Sequence, residues 1–110
     1  MEFKTEKIGD VTIVELVTDV LDANNAREFK TGISPILEKN RNVIFDMSQV
    51  GFLDSSGCGT ILSSLRQLSS AGGDLKMFGV QKQVLTLFEL IRMHRIIEIF
   101  NAKEEAVKSF

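Results

Sequence analysis

The sequence predicts an α/β fold: a mixed, mostly parallel β-sheet with an N-terminal hairpin, packed with about four helices. Three observations carry this. Short apolar, β-branched runs recur at Val11–Val17, Asn42–Asp46, Leu75–Phe78 and Ile96–Phe100. Amphipathic stripes of helical period lie between them, and strands alternating with helices call for parallel crossovers. A Gly9-Asp10 turn signal joins the first run to Phe3–Ile8, which reads as the other arm of a hairpin and makes the sheet mixed.

The elements follow in order. Val11-Thr12-Ile13-Val14-Glu15-Leu16-Val17 alternates imperfectly and reads as a strand. Asp22-Ala23-Asn24-Asn25 is a loop ending in N-cap residues, and Asn25 with Glu28 three positions on predicts a capping box. Ala26, Phe29, Ile33, Ile36 and Leu37 then share one helical stripe. Pro35 lies opposite that stripe, but proline removes a helix hydrogen bond and costs about 3 kcal/mol mid-helix. The expectation is a kink near Gly32–Pro35, or two short helices. Asn42-Val43-Ile44-Phe45-Asp46 suits a strand buried on both faces. Cys58, Ile61, Leu62, Leu65 and Leu68 mark a second helix that ends at Ala71-Gly72-Gly73. Leu75–Phe78 is the next strand. Val84, Leu87, Phe88 and Ile91 mark a third helix, with Leu85 and Leu90 outside its stripe. Ile96–Phe100 predicts a last strand, and Lys103–Phe110 a short terminal helix.

The chain has 110 residues, which fits one domain over residues 1–110. At 44% hydrophobic and 25% charged it has the composition of a soluble globular protein. Thirteen basic and 15 acidic residues leave a net charge of −2, which argues against direct nucleic-acid binding. No apolar run approaches the roughly 20 residues of a membrane span, and no secretory signal is evident. The single Cys58 excludes an internal disulfide, and with the single His94 it makes no plausible metal set. No cofactor is called for, and a cytoplasmic protein is the simplest expectation.

Phe52-Leu53-Asp54-Ser55-Ser56-Gly57-Cys58-Gly59 is the stretch that can carry chemistry. A strand runs into a polar turn that opens a helix, where free N–H groups and a partial positive charge attract anions, phosphate included. The same residues also make an ordinary helix start, with Asp54 or Ser55 as the cap. If Asp54 only caps, asparagine in its place should cost almost nothing. Enzyme readings fit poorly. A hydrolase elbow wants Gly-x-Ser-x-Gly, but Leu53 stands two before Ser55 and His94 is the one possible His base. Gly51 to Gly57 has the wrong spacing for a P-loop, and no lysine follows. Asp46 ends a strand, as a phospho-acceptor would, yet lacks an adjacent acidic pair for Mg²⁺. Cys58 points into the apolar stripe and reads as a buried structural thiol.

At Asp54-Ser55-Ser56-Gly57 the chain resembles the bacterial anti-sigma-factor antagonists, the small single-domain members of the STAS family. The resemblance spans nearly the whole chain: the hairpin, Leu21-Asp22-Ala23, Val43–Met47, Val50–Gly59, Ala71-Gly72-Gly73, Leu87-Phe88 and Ile96-Ile97. It implies a STAS-type domain that binds rather than catalyses, with Ser55 as the phosphorylation site. It further implies an anti-sigma factor with serine kinase activity as partner, and a PP2C-type phosphatase that reverses the modification. The unmodified form would bind the kinase and free a sigma factor, through a surface of Asp22, Asn24, Asp54, Ser55, Ser56 and Gly57. The family also includes scaffold subunits docked on lipid-transport ATPases or signalling assemblies, an alternative that keeps the fold. Three features depart from the family's pattern: Asp19 and Val20 where glycine is frequent, Cys58 for leucine, and His94 for phenylalanine.

Overall fold

Glu2–Ile8 (β1) and Val11–Val17 (β2) form the antiparallel hairpin, closed by a two-residue turn at Gly9-Asp10. Gly9 takes φ +60°, which the tight turn requires and glycine accepts without strain. The structure, a computed structural model, describes all of residues 1–110. After the hairpin come Val20–Leu21 (β3), Ala26–Glu38 (α1), Asn42–Asp46 (β4), Phe52–Leu53 (β5) and Ser55–Ser70 (α2). Asp74–Phe78 (β6), Lys82–Leu90 (α3), a 3₁₀ turn at Met93–Arg95, Glu98–Phe100 (β7) and Lys103–Lys108 (α4) complete the chain. The main sheet has the order β1-β2-β4-β6-β7, parallel except for the hairpin.

Side-chain alternation divides this sheet between two cores. Val14 and Leu16 of β2, Val43 and Phe45 of β4, and Leu75 and Met77 of β6 enter the large core with Phe29, Ile33 and Leu37 of α1 and Ile61 and Leu68 of α2. Phe29 stands edge-on to Phe45 with centroids 6.1 Å apart, which locks α1 over the sheet centre. Val11, Ile13 and Ile44 point to the other face, where Ala106 of α4 covers them. Ile44 is thus buried beneath α4, and β4 is covered on both faces as its composition predicts.

Four expectations need correction. α1 runs unbroken through Pro35, which is exposed; the carbonyl four residues back belongs to Thr31, also exposed, so water can replace the missing partner. The Asn25–Glu28 capping box does not form. Asn25 turns backward instead, its Oδ1 accepting from Asp22 N–H at 2.9 Å and its Nδ2 donating to Val20 O at 2.8 Å, while Glu28 pairs with the Met1 amino group. α3 stops at Leu90, because Arg92 adopts the left-handed conformation at φ 62°; Ile91 is therefore 45% exposed and off the buried stripe. The last strand is shorter than predicted, since Ile96 and Ile97 belong to the turn before β7. Of that pair Ile97 is buried and Ile96 exposed.

Lys76 of β6 points into the α4 side and is buried. Its ammonium donates to Ser109 O at 2.9 Å and Ser109 Oγ at 2.8 Å, lies 3.3 Å from Glu98 and sits over the Phe110 ring. A six-residue helix has no stability alone, so α4 depends on this anchor and on Ala106. Charge-assisted bonds contribute about 1.5–3 kcal/mol each at most. Lys76→Met keeps the apolar stem and should loosen α4 alone: amide exchange at Ser109 and Phe110 should rise by about tenfold or more, with exchange in β4 unchanged.

Candidate functional site

Two short strands build the site. β3 and β5 pair in parallel, Val20 with Phe52 and Leu21 with Leu53, outside the main sheet. Asp19 O extends the pairing by accepting from Gly51 N–H at 2.8 Å and Phe52 N–H at 3.3 Å. Leu21 and Leu53 are buried and fix the pair to the core. Being parallel, the strands deliver their following loops, Asp22–Asn25 and Asp54–Gly57, to the same end.

Asp54 joins the two loops. Its backbone is extended at φ −103°, ψ −170°, its Oδ1 accepts from Gly57 N–H at 2.9 Å, and its carbonyl accepts from Cys58 N–H at 3.0 Å. It is thus the N-cap of α2, as the sequence suggests. Its Oδ2 also accepts from Ala23 N–H at 3.1 Å, across to the other loop. The Gly57 bond, seconded by Ala23 and Ser56 against some desolvation, holds the carboxyl below its ordinary pKa of 3.8. In the facing loop Asp22 Oδ1 accepts from Asn24 N–H at 2.9 Å, a local turn. Gly57 makes this junction possible: a Cβ there would lie 2.0 Å from Leu21 O, so the first turn of α2 rests directly on the β3 backbone.

The two consecutive serines are both exposed but open onto different grooves. Ser55 borders an apolar groove of about 300 Å³ between α2 and α3, with Leu53, Cys58, Leu62, Leu87 and Ile91. Ser56 borders a wider one of about 530 Å³ between α1 and α2, with Arg27, Lys30 and Arg66. Phe52, 55% exposed, flanks the same end. Burial, then the nearby Asp54 charge, pushes the Cys58 thiol up, the behaviour of an unreactive thiol. Asp46 is tied into its own turn by accepting from Ser48 N–H at 3.0 Å.

The structure therefore brings Asp22, Asn24, Asp54, Ser55, Ser56 and Gly57 to one end of the molecule. Sequence reasoning missed the Ala23 N–H tie, the β3–β5 pair and the cations of the second groove. The i, i+3 spacing of Arg27 and Lys30 on the polar side of α1 was the available signal for the last.

The Ala23 tie changes what Asp54→Asn should do. Asparagine has one acceptor oxygen and can serve Gly57 or Ala23, while its NH₂ would face the other N–H. A lowered Tm is expected at about pH 7 in place of the neutral result a simple cap predicts. A depressed carboxyl stabilises the fold fully above its unfolded pKa, and that stabilisation is lost as pH falls through the lower folded value. The Tm gap between wild type and Asp54→Asn should therefore shrink as pH falls below the ordinary carboxylate value of 3.8, as scanning calorimetry across pH will show.

Known proteins share this fold. The family model for the STAS domain matches residues 2–106. A Thermotoga maritima protein provisionally named an anti-sigma factor antagonist is 30% identical over 104 residues, covering 93% of this chain and 92% of its own. The anti-sigma-B factor antagonist of Listeria monocytogenes is 29% identical over 90 residues, with 81% and 79% covered. Among solved structures, the anti-sigma factor antagonist SpoIIAA from Bacillus shares the fold in its unphosphorylated form at TM-score 0.77 and 21% identity, over 98% of this chain and 95% of that one. Its phosphorylated form matches at TM-score 0.70 and 20% identity, over 98% of each. No helix here is long and apolar enough to cross a membrane. On the match across nearly all its length, this chain belongs to the STAS domain family.

Proposed function

We propose that the chain is a single-domain anti-sigma factor antagonist, a cytoplasmic binding module switched by phosphorylation at Ser55. Unmodified, it binds an anti-sigma factor that is also a serine kinase and so releases a sigma factor. Phosphorylated, it lets go, and a PP2C-type phosphatase resets it. Asp22, Asn24, Asp54, Ser55, Ser56 and Gly57 form the partner surface. The chain contributes recognition, and the kinase contributes the phosphoryl-transfer machinery.

The observation that carries the reading is the position of Ser55. It is exposed at the start of α2, beside an ionised cap and at the mouth of an apolar groove. A partner can enter the groove while its active site reaches the hydroxyl. The names of the relatives point the same way, as does the existence of SpoIIAA in phosphorylated and unphosphorylated forms.

Incubation with candidate GHKL-type serine kinases and ATP, followed by fragment mass spectrometry, tests the assignment. Phosphate on Ser55 is the expected result. Phosphate on Ser56 would move the site to the basic groove, and no phosphorylation by any kinase that binds the chain would favour a constitutive scaffold.

A further inference from the structure

We propose that the groove between α1 and α2 is a docking surface for an acidic segment of a partner protein. Arg27 and Lys30 line it from α1 and Arg66 from α2, over a floor that includes Ala26 and Gly59, with Ser56 at one end. The chain's ion pairs join Met1 to Glu28, Lys76 to Glu98 and Lys103 to Glu6, so none of the three groove cations is neutralised from within. They gather on one face of a chain whose net charge is −2.

The chemistry selects the occupant. Guanidinium forks match carboxylates in paired hydrogen bonds, and two of the three cations are arginines. Small residues, Ala26 and Gly59, are among those lining it, and its volume is about 530 Å³. The cations are spread along two helices rather than converging on one point, which suits a row of carboxylates better than one small anion. Three cations on a net-negative chain, with no aromatic side chain lining the groove, are a poor match for nucleic acid. Because the groove ends at Ser56, a partner seated on it lies one residue from Ser55. Attraction there should speed association most at low salt.

The test uses the whole protein and an eight-residue peptide of alternating Glu and Ala, against the same peptide with Gln for Glu. Nuclear magnetic resonance titration at low salt should move the amides of Arg27, Lys30, Gly59 and Arg66 with the Glu peptide and not with the Gln peptide. The triple variant Arg27→Gln/Lys30→Gln/Arg66→Gln should bind about tenfold or more weakly at unchanged Tm, while Lys4→Gln/Lys7→Gln, on β1, should bind as wild type does. Equal binding of the two peptides, shifts centred on β1, or full affinity in the triple variant would overturn the proposal. Inorganic phosphate displacing the peptide at equal concentration would reassign the groove to a small anion. A single-stranded oligonucleotide of matched charge binding more tightly would reassign it to nucleic acid. None of these readouts depends on phosphorylation of Ser55.

Discussion

Gly57→Ala and Gly59→Ala should change stability in opposite directions, although they lie two residues apart in the same helical turn. In an open helix both would gain up to about 1 kcal/mol, the advantage of alanine over glycine. Nothing lies within 4 Å of a Cβ at Gly59, so that gain should appear there in full. At Gly57 the new carbon would meet Leu21 O at 2.0 Å and Leu21 C at 2.8 Å. A Cβ has no rotamer by which to escape, and its neighbour is backbone. Either α2 lifts from β3 or β3 leaves β5. Lifting strains the Asp54–Gly57 cap and the Ala23 tie, and separation breaks the Asp54 N–H bond to Leu21 O. Overpacking of this kind costs about 1–3 kcal/mol and more when the backbone must move, so the clash outweighs the propensity gain. Thermal unfolding should show Tm falling by about 10 °C or more for Gly57→Ala and rising by a few degrees for Gly59→Ala. Equal small rises in both would mean that α2 does not rest on β3.

That contact marks the boundary of what the sequence reveals. The hairpin, β4, α2 and the buried side of α3 were legible because each carries a period or a turn signal several residues long. β3 and β5 carry none: each is two residues, and they pair only because Leu21 and Leu53 are drawn into the same core. Asp54 could be read as a cap because capping is local, between residues three apart. Its second bond, to Ala23 N–H, spans 31 positions and left no local trace. Asn25 failed for the complementary reason. Its spacing to Glu28 satisfied a local pattern, but Val20 O and Asp22 N–H offered its amide two bonds at once, and the box lost. Ile91 shows the limit of periodicity. It fits the stripe of α3, yet the helix ends before it because Arg92 turns left-handed. The element that presents Ser55 was therefore legible, and the junction that places it against Asp22 and Asn24 was not.

Phosphorylation of Ser55 should lower affinity for the proposed kinase partner by about 100-fold or more, while Ser55→Asp lowers it far less. The capping geometry gives the reason. A phosphate at a helix start is ordinarily held by the free N–H groups of the first turn. Here Asp54 has taken them in part: Oδ1 holds Gly57 N–H, and Ser56 N–H also favours the ionised carboxylate. The phosphate therefore finds few donors within the chain. It projects as a near-dianion beside a carboxylate that stays ionised, at the mouth of an apolar groove. A partner fitted to the hydroxyl must desolvate that charge or pull away, and 2.7 kcal/mol of such cost is already about 100-fold. Aspartate adds a single charge on a shorter side chain, without the three phosphate oxygens. Serine here is exposed, so neither change should move Tm by more than a few degrees. Because the second phosphate ionisation lies near pH 6, the affinity ratio should narrow between about pH 7.5 and pH 5.5 as the dianion gains a proton. Added salt should narrow it as well, by screening. Isothermal titration of the three forms at two pH values and two ionic strengths will resolve these effects. Equal affinities for wild type and phosphoprotein would rule out Ser55 as the switch. A loss insensitive to both pH and salt would mean that the phosphate acts by bulk, through closure of the groove at Leu53 and Ile91.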